Sequence, residues 1–155
     1  MDEKTNVMRI LDQKKIKHQT HSYVGTGAIS GTEVAEALGQ DPKCVFKTLV
    51  TIGKSKSNYV FVIPVEKELN LKKAAKIVGE KSIDMLKSKD LLSLTGYIHG
   101  GCSPIGMKKF FKTVIDISAE DYDTIIFSAG KIGYQVEMSL SELSKVIRFT
   151  TADII

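Results

Sequence analysis

The sequence predicts a mixed α/β domain of the α+β type, in which a largely antiparallel, barrel-like sheet is surrounded by short helices. Three observations carry this. Runs rich in β-branched and aromatic residues crowd the middle and end of the chain, and short polar turns join several of them. Helical patterns are brief and fall between or outside those runs, two of them opened by capping boxes. The regular strand–helix alternation of a dinucleotide-binding fold is missing. With 155 residues and 17.1 kDa the chain reads as a single domain spanning residues 1–155, without internal repeat, linker or low-complexity tract.

Val7, Ile10 and Leu11 recur at helical spacing and place a helix over Thr5 to Lys15, followed by an extended stretch from His18 to Tyr23. Ser30, Gly31, Thr32 and Glu33 form a capping box, in which the serine and the glutamate satisfy each other's free backbone donors. A helix over Gly31 to Leu38 follows, stopped by Gly39 and Pro42. Val45 to Ile52 and Tyr59 to Val65 read as a hairpin closed by the polar loop Gly53 to Asn58. Asn70 caps a helix over Leu71 to Val78 that Gly79 ends, and another short helix covers Ser88 to Leu94. Lys112 to Ile117, Asp123 to Ser128 and Tyr134 to Met138 are further strands, and a second capping box, Ser139 to Glu142, opens a helix reaching about Val146.

The bulk composition narrows the class. Hydrophobic residues make up 43% and charged residues 26%, the balance of a soluble globular chain, and no run approaches the ~20 apolar residues a membrane span needs. The stretch Met1 to Thr5 is polar and acidic rather than basic-then-apolar, so a cytoplasmic location is expected. Cys44 and Cys102 are too few for a disulfide-stapled scaffold and read as reduced thiols. A net charge of +4 is compatible with a polyanionic partner. Lysines group at Lys14, Lys15 and Lys17, at Lys72, Lys73 and Lys76, and at Lys108, Lys109 and Lys112; each group also fits an ordinary solvated face, but the third adjoins a glycine loop.

That loop, Gly100 to Gly106, is the most unusual stretch of the chain. Glycine permits φ > 0 and close ligand approach, while Pro104 stiffens the turn. A backbone so shaped can present N–H groups to a carbonyl or phosphate oxygen, or can be no more than a tight turn. Lys47 lies within an apolar strand, on the same side as Val45 and Leu49 by period-2 alternation. It is either a solvent-facing strand residue or a partly desolvated cation in a pocket. Ser128 to Gly133 form a second glycine-bearing turn. Cys102, with His99 three residues before it, has the makings of a nucleophile and base; the alternative is a small packing residue. His18, His21 and His99 lack metal-ligand spacing, and no metal or cofactor is expected.

Taken as a set, Tyr23, Lys47 with Thr48, the loop Gly100-Gly101-Cys102-Ser103-Pro104-Ile105-Gly106 and the turn at Ser128 and Gly130 resemble the YbaK family. These are free-standing relatives of the editing domain of bacterial prolyl-tRNA synthetase, and the resemblance runs from the first helix to about Ile147. The family pattern Gly-Gly-x-Ser-Pro-x-Gly is met in full. The resemblance implies a trans-editing deacylase that removes cysteine from mischarged Cys-tRNA(Pro), with Cys-tRNA(Cys) as a further substrate. It implies that the cysteinyl thiol attacks its own ester while the protein supplies orientation and electrostatics. Lys47 and the backbone at Gly101 are then the catalytic groups, and Tyr23, Thr48, Gly100, Ser103, Pro104, Ser128 and Gly130 bind substrate. The implied partners are the acceptor end of tRNA(Pro) and, transiently, prolyl-tRNA synthetase; a monomer without membrane attachment is expected. Lys-Thr rather than Lys-Asn, together with the Ser-Pro-x-Gly loop, favours cysteine over alanine as the amino acid released.

The sequence departs from the family in two places. Gln135 stands where many members carry an acid, with Glu137 two residues on. The segment Val24 to Ser30 is shorter than the common form and offers only Ile29 or Ser30 where an aromatic lines the family pocket. These departures keep open an alanine-releasing deacylase and a non-catalytic tRNA-binding module.

Overall fold

A computed structural model describes residues 3–155; of the polar N-terminal stretch, Met1 and Asp2 lie outside the described residues. Helix α1 (Asn6–Gln13) begins at Thr5, whose hydroxyl accepts from the Met8 N–H at 3.2 Å, and buries Val7, Met8 and Leu11 on one face. It stops short of Lys15, which turns to φ 55. Strand β1 (Gln19–Ser22) leads to α2 (Gly31–Ala37), where the Ser30 hydroxyl accepts from the Glu33 N–H at 3.2 Å and the Glu33 carboxylate accepts from the Ser30 N–H at 3.0 Å. A short 3-10 turn at Pro42–Cys44 delivers the chain to β2 (Phe46–Gly53), and β3 (Asn58–Pro64) folds back on it.

Next come α3 (Leu71–Val78), capped by Asn70 and ended by Gly79, then β4 (Ile83–Met85) and α4 (Ser88–Thr95). The glycine loop leads to β5 (Lys112–Asp116), a 3-10 turn over Ile117–Asp121, β6 (Ile125–Ser128) and β7 (Tyr134–Met138). Ser139 caps α5 (Leu140–Leu143), which stops short of the expected Val146, and β8 (Thr150–Ala152) is the last strand. Strands β4 and β8 are too short to stand out as β-rich runs, and the sequence reading missed both.

The strands form two sheets. One, β1-β7-β6, is antiparallel throughout; the other runs β4-β2-β3-β5-β8 and mixes antiparallel with parallel neighbours, β5 lying parallel to both β3 and β8. A single isolated bridge, Val45 to Ile126, links the two, so the expected barrel-like sheet is split rather than closed among the described residues. A parallel pair needs a long crossover, and the one from β3 to β5 carries α3, β4, α4 and the glycine loop. The loop is therefore the last leg of a crossover, placed at the seam between the sheets.

Strand β3 shows how the core is divided. Val60, Phe61, Val62 and Ile63 are all fully buried; Val60 and Val62 pack with α1 and the small sheet, whereas Phe61 and Ile63 pack under α3 with Ala74, Val114 and Ile154. A strand buried on both faces reads as a continuous apolar run, and removing this much apolar surface from water, at about 25 cal/mol per Å², is the main favourable contribution to folding.

Candidate active site

A cleft of about 580 Å³ opens at the seam where the two sheets meet. Strand β2 supplies Lys47 and Thr48, the segment after β1 supplies Tyr23, and the start of α2 supplies Ser30 and Gly31. Leu86 and Leu91 form part of its apolar wall, His99, Gly100 and Cys102 come from the glycine loop, and Phe127, Ser128, Tyr134 and Gln135 come from the small sheet.

Lys47 is half-buried, paired across the hairpin with Ile63. Among the described residues no carboxylate comes within salt-bridge distance of its ammonium, although Lys4, Lys73, Lys131 and Lys145 all have such partners. A cation left unpaired in a cleft keeps its full attraction for an incoming anion or developing oxyanion. Thr48 falls between Phe46 and Val50, both buried in the main core cluster, and its Oγ1 is buried without a hydrogen-bond partner among the described residues. An unpartnered buried hydroxyl is a net loss to stability of about 1–3 kcal/mol, which makes it a candidate for a ligand contact.

The glycine loop is held from within. The Tyr97 hydroxyl donates to the Ile105 carbonyl, the Gly101 N–H donates to the Ile98 carbonyl at 3.0 Å, and the Ile105 N–H donates to the buried Ser103 hydroxyl at 3.3 Å. The Gly101 amide is thus used inside the loop. The N–H groups of Gly100 and Cys102 on either side donate to no acceptor among the described residues. A side chain at Gly101 would place its Cβ 3.2 Å from the Ile132 nitrogen, so glycine here lets the loop lie against the second glycine turn. Gly130, at φ 91, seats that turn against Tyr97, and its N–H donates to the Ser128 hydroxyl at 3.1 Å.

Of the residues singled out in the sequence, Tyr23, Lys47, Thr48, Gly100 and Ser128 line the cleft together. Gly101, Ser103, Pro104 and Gly130 stand behind the lining. Cys102 lines the cleft, but burial pushes its thiol up to about 12, and it makes no hydrogen bond with the exposed His99 among the described residues. A thiol so held stays protonated at neutral pH and is a poor nucleophile.

Gln135 is 5% exposed and its carbonyl oxygen accepts from the Gln40 amide at 2.8 Å. Gln40 was not legible as a site residue, because nothing local ties it to a strand on the far side of the chain. Glu137 turns to other partners: His21 Nε2 lies 2.7 Å from one carboxylate oxygen and the Thr124 hydroxyl donates to the other at 2.5 Å. Burial pushes this carboxyl up, yet the bonds from Thr124 and His21 outweigh it and hold the group below its ordinary range. Among the described residues no three His, Cys, Asp or Glu side chains converge as a metal site would require.

The chain is a small split-sheet domain whose cleft holds a lysine without a carboxylate partner among the described residues, beside two glycine turns, and it falls in the class of aminoacyl-tRNA editing domains. The model of the aminoacyl-tRNA editing domain matches residues 9–146, and the chain belongs to that family. It is 47% identical over 138 residues, 88% of this chain and 84% of the relative, to an Enterococcus faecalis protein provisionally named Cys-tRNA(Pro)/Cys-tRNA(Cys) deacylase EbsC. Over 68% of its length it is also 31% identical to a proline–tRNA ligase of Thermodesulfovibrio yellowstonii, of which the match spans 18%. Its fold is shared with a crystal structure provisionally described as that of a trans-editing enzyme for prolyl-tRNA synthetase, at TM-score 0.82 and 21% identity, covering 97% of each chain. No helix among the described residues is long and apolar enough to cross a membrane.

Proposed function

We propose that the protein is a free-standing editing deacylase that releases cysteine from mischarged Cys-tRNA(Pro), and also from Cys-tRNA(Cys). The observation that carries this reading is what the cleft contains. Lys47, Thr48, Gly100 and Cys102 all line it, and among the described residues the Lys47 ammonium has no carboxylate partner, the Thr48 hydroxyl no hydrogen bond and the Gly100 and Cys102 N–H groups no acceptor, while burial raises the Cys102 thiol. Such a site binds and polarises an ester but needs a nucleophile from elsewhere.

In the reaction proposed, the sulfur of the cysteinyl group attacks its own ester carbonyl carbon. The carbon–sulfur bond forms, the carbon–oxygen bond to the ribose breaks, and the thiol proton passes to the departing ribose oxygen. Cyclic thiolactone and tRNA with a free terminal hydroxyl are the products. Lys47 and the N–H groups of Gly100 and Cys102 stabilise the negative charge that develops on the carbonyl oxygen. Tyr23, Thr48 and Ser128 hold the aminoacyl-adenosine end, and the loop packing around Gly101, Ser103, Pro104 and Gly130 keeps the donors in place. Holding sulfur and carbonyl in attack geometry supplies most of the acceleration in a reaction of this type.

The chain is small for reading a whole tRNA, so identity is supplied by a transient complex of the monomer with prolyl-tRNA synthetase. The likeness to part of a proline–tRNA ligase supports that partner. The test is amino-acid release from cysteinyl-, alanyl- and prolyl-tRNA(Pro), wild type beside Lys47→Ala. Loss of cysteine alone, slowed about 10²–10³-fold in the variant, is expected. Persistence of all three esters while tRNA still binds would replace the deacylase with the binding module that Gln135 favours; release of alanine would reassign the substrate.

A further inference from the structure

We infer that Phe110, flanked by Lys108, Lys109 and Lys112, is a stacking platform for an unpaired base at the 3′ end of an RNA acceptor stem. The inference rests on the editing reading for the identity of the RNA, and on the surface itself for the chemistry.

Phe111 points into the main core at 8% exposure, which turns its neighbour Phe110 outward at 65% exposure. A large aromatic ring in water loses the gain that burial would give, and nothing in the fold covers this one. Three lysines surround it in sequence, and among the described residues none of them has a carboxylate partner. Lys109 is held 5.7 Å above the Phe111 ring, and Lys108 lies along Gly96 with its Nζ 3.4 Å from the Ser93 carbonyl. Two of the three cations are therefore positioned rather than free to sweep the surface.

The platform is tied to α4, a helix that contributes to the cleft wall. The Lys108 N–H donates to the Thr95 carbonyl at 3.1 Å, at the end of the helix whose Leu91 lines the cleft. An exposed aromatic between unpaired cations is what a single-stranded nucleic acid needs: a face for one base and charges for the flanking phosphates. A protein partner would call for a broader apolar patch with its charges at the rim.

The chain contains no tryptophan, so Phe110→Trp gives a lone fluorescent reporter at this position. The probes are a hairpin RNA of the tRNA(Pro) acceptor stem with its single-stranded 3′ tail and the same hairpin made blunt. The tailed hairpin should quench the tryptophan and the blunt one should not. Phe110→Ala should bind the tailed hairpin about ten-fold more weakly and the blunt one unchanged, as the loss of one stacked base implies. Lys109→Ala with Lys112→Ala should weaken both and flatten the salt dependence.

Equal affinity of wild type and Phe110→Ala for the tailed hairpin, or quenching by both hairpins alike, would overturn the platform. So would a variant that keeps its RNA affinity and loses its hold on prolyl-tRNA synthetase, since the patch would then be a protein contact. Tail-dependent quenching in a protein that releases no amino acid would support the platform while rejecting the deacylase.

Discussion

The Tyr97 hydroxyl donates to the Ile105 carbonyl and so ties the far side of the glycine loop to the segment that leads into it. Tyr97 is 9% exposed, and its ring is what an added Cβ would first meet at both Gly106 and Gly130, one from each of the two glycine turns. One aromatic ring thus sets the spacing of both. Tyr97→Phe should keep the ring packing and leave the buried Ile105 carbonyl unpaired, at a cost of about 1–3 kcal/mol. Thermal unfolding would register the loss, and deacylation should fall with it because the Gly100 and Cys102 donors are held by this loop.

Gly130 makes the same point sterically. Its φ of 91 suits glycine, and an added Cβ would sit 2.9 Å from Tyr97 Cε1 and 3.0 Å from Val7 Cγ2. Gly130→Ala therefore strains the backbone and presses on the core at once, for an expected loss of about 2–3 kcal/mol. A melting curve indistinguishable from wild type would refute the packing role.

How much of this was legible in the sequence depends on how local each feature is. Ser30 and Asn70 make the bonds their spacing foretold, because cap and recipient lie within one turn, whereas the box at Ser139 is half made: its hydroxyl accepts from the Glu142 N–H, but the Glu142 carboxylate does not reach back to the Ser139 N–H. The hairpin of β2 and β3 was legible for the same reason. The split into two sheets and the parallel placement of β5 were not, since those pairings join distant residues and leave no local pattern. At the site, glycine content marked the two turns, whereas the Gln40–Gln135 bond and the inward use of the Gly101 amide follow only from tertiary structure.

Alkaline pH should weaken the fold in a defined window. Burial raises the Cys102 thiol from 9.0 to about 12; burial and then the neighbouring Cys102 raise the Tyr97 phenol from 10.0 to about 12. Both groups hold their protons more tightly when folded, so their contribution is intact below pH 9.0 and is lost as pH rises toward about 12. Midpoints of denaturant unfolding should fall across that range, and less steeply in Cys102→Ala. The same variant should retain deacylation, since no step proposed above uses its sulfur.

At the acid end, the group to watch is Glu137. Its carboxyl is held low by Thr124 and His21 despite burial, so it contributes stability above the ordinary glutamate range that is lost as pH falls through its depressed value. Glu137→Gln should remove about 1 kcal/mol near neutrality and flatten the acid limb of the stability profile. Parallel acid limbs in variant and wild type would show that the His21 pair contributes nothing measurable.

Thr48 separates binding from architecture most cleanly. Its Oγ1 is buried and makes no hydrogen bond among the described residues, so the folded protein gains nothing from it. Replacing it with an isosteric methyl removes a desolvated polar atom, and Thr48→Val should be as stable as wild type or more so by about 1 kcal/mol. If the hydroxyl awaits the aminoacyl end of a substrate, the same variant should deacylate Cys-tRNA(Pro) more slowly, with the loss expressed in KM or kcat rather than in Tm. Stability rising while activity falls is the result expected of a residue kept for its ligand; unchanged activity would mean that substrate never reaches it.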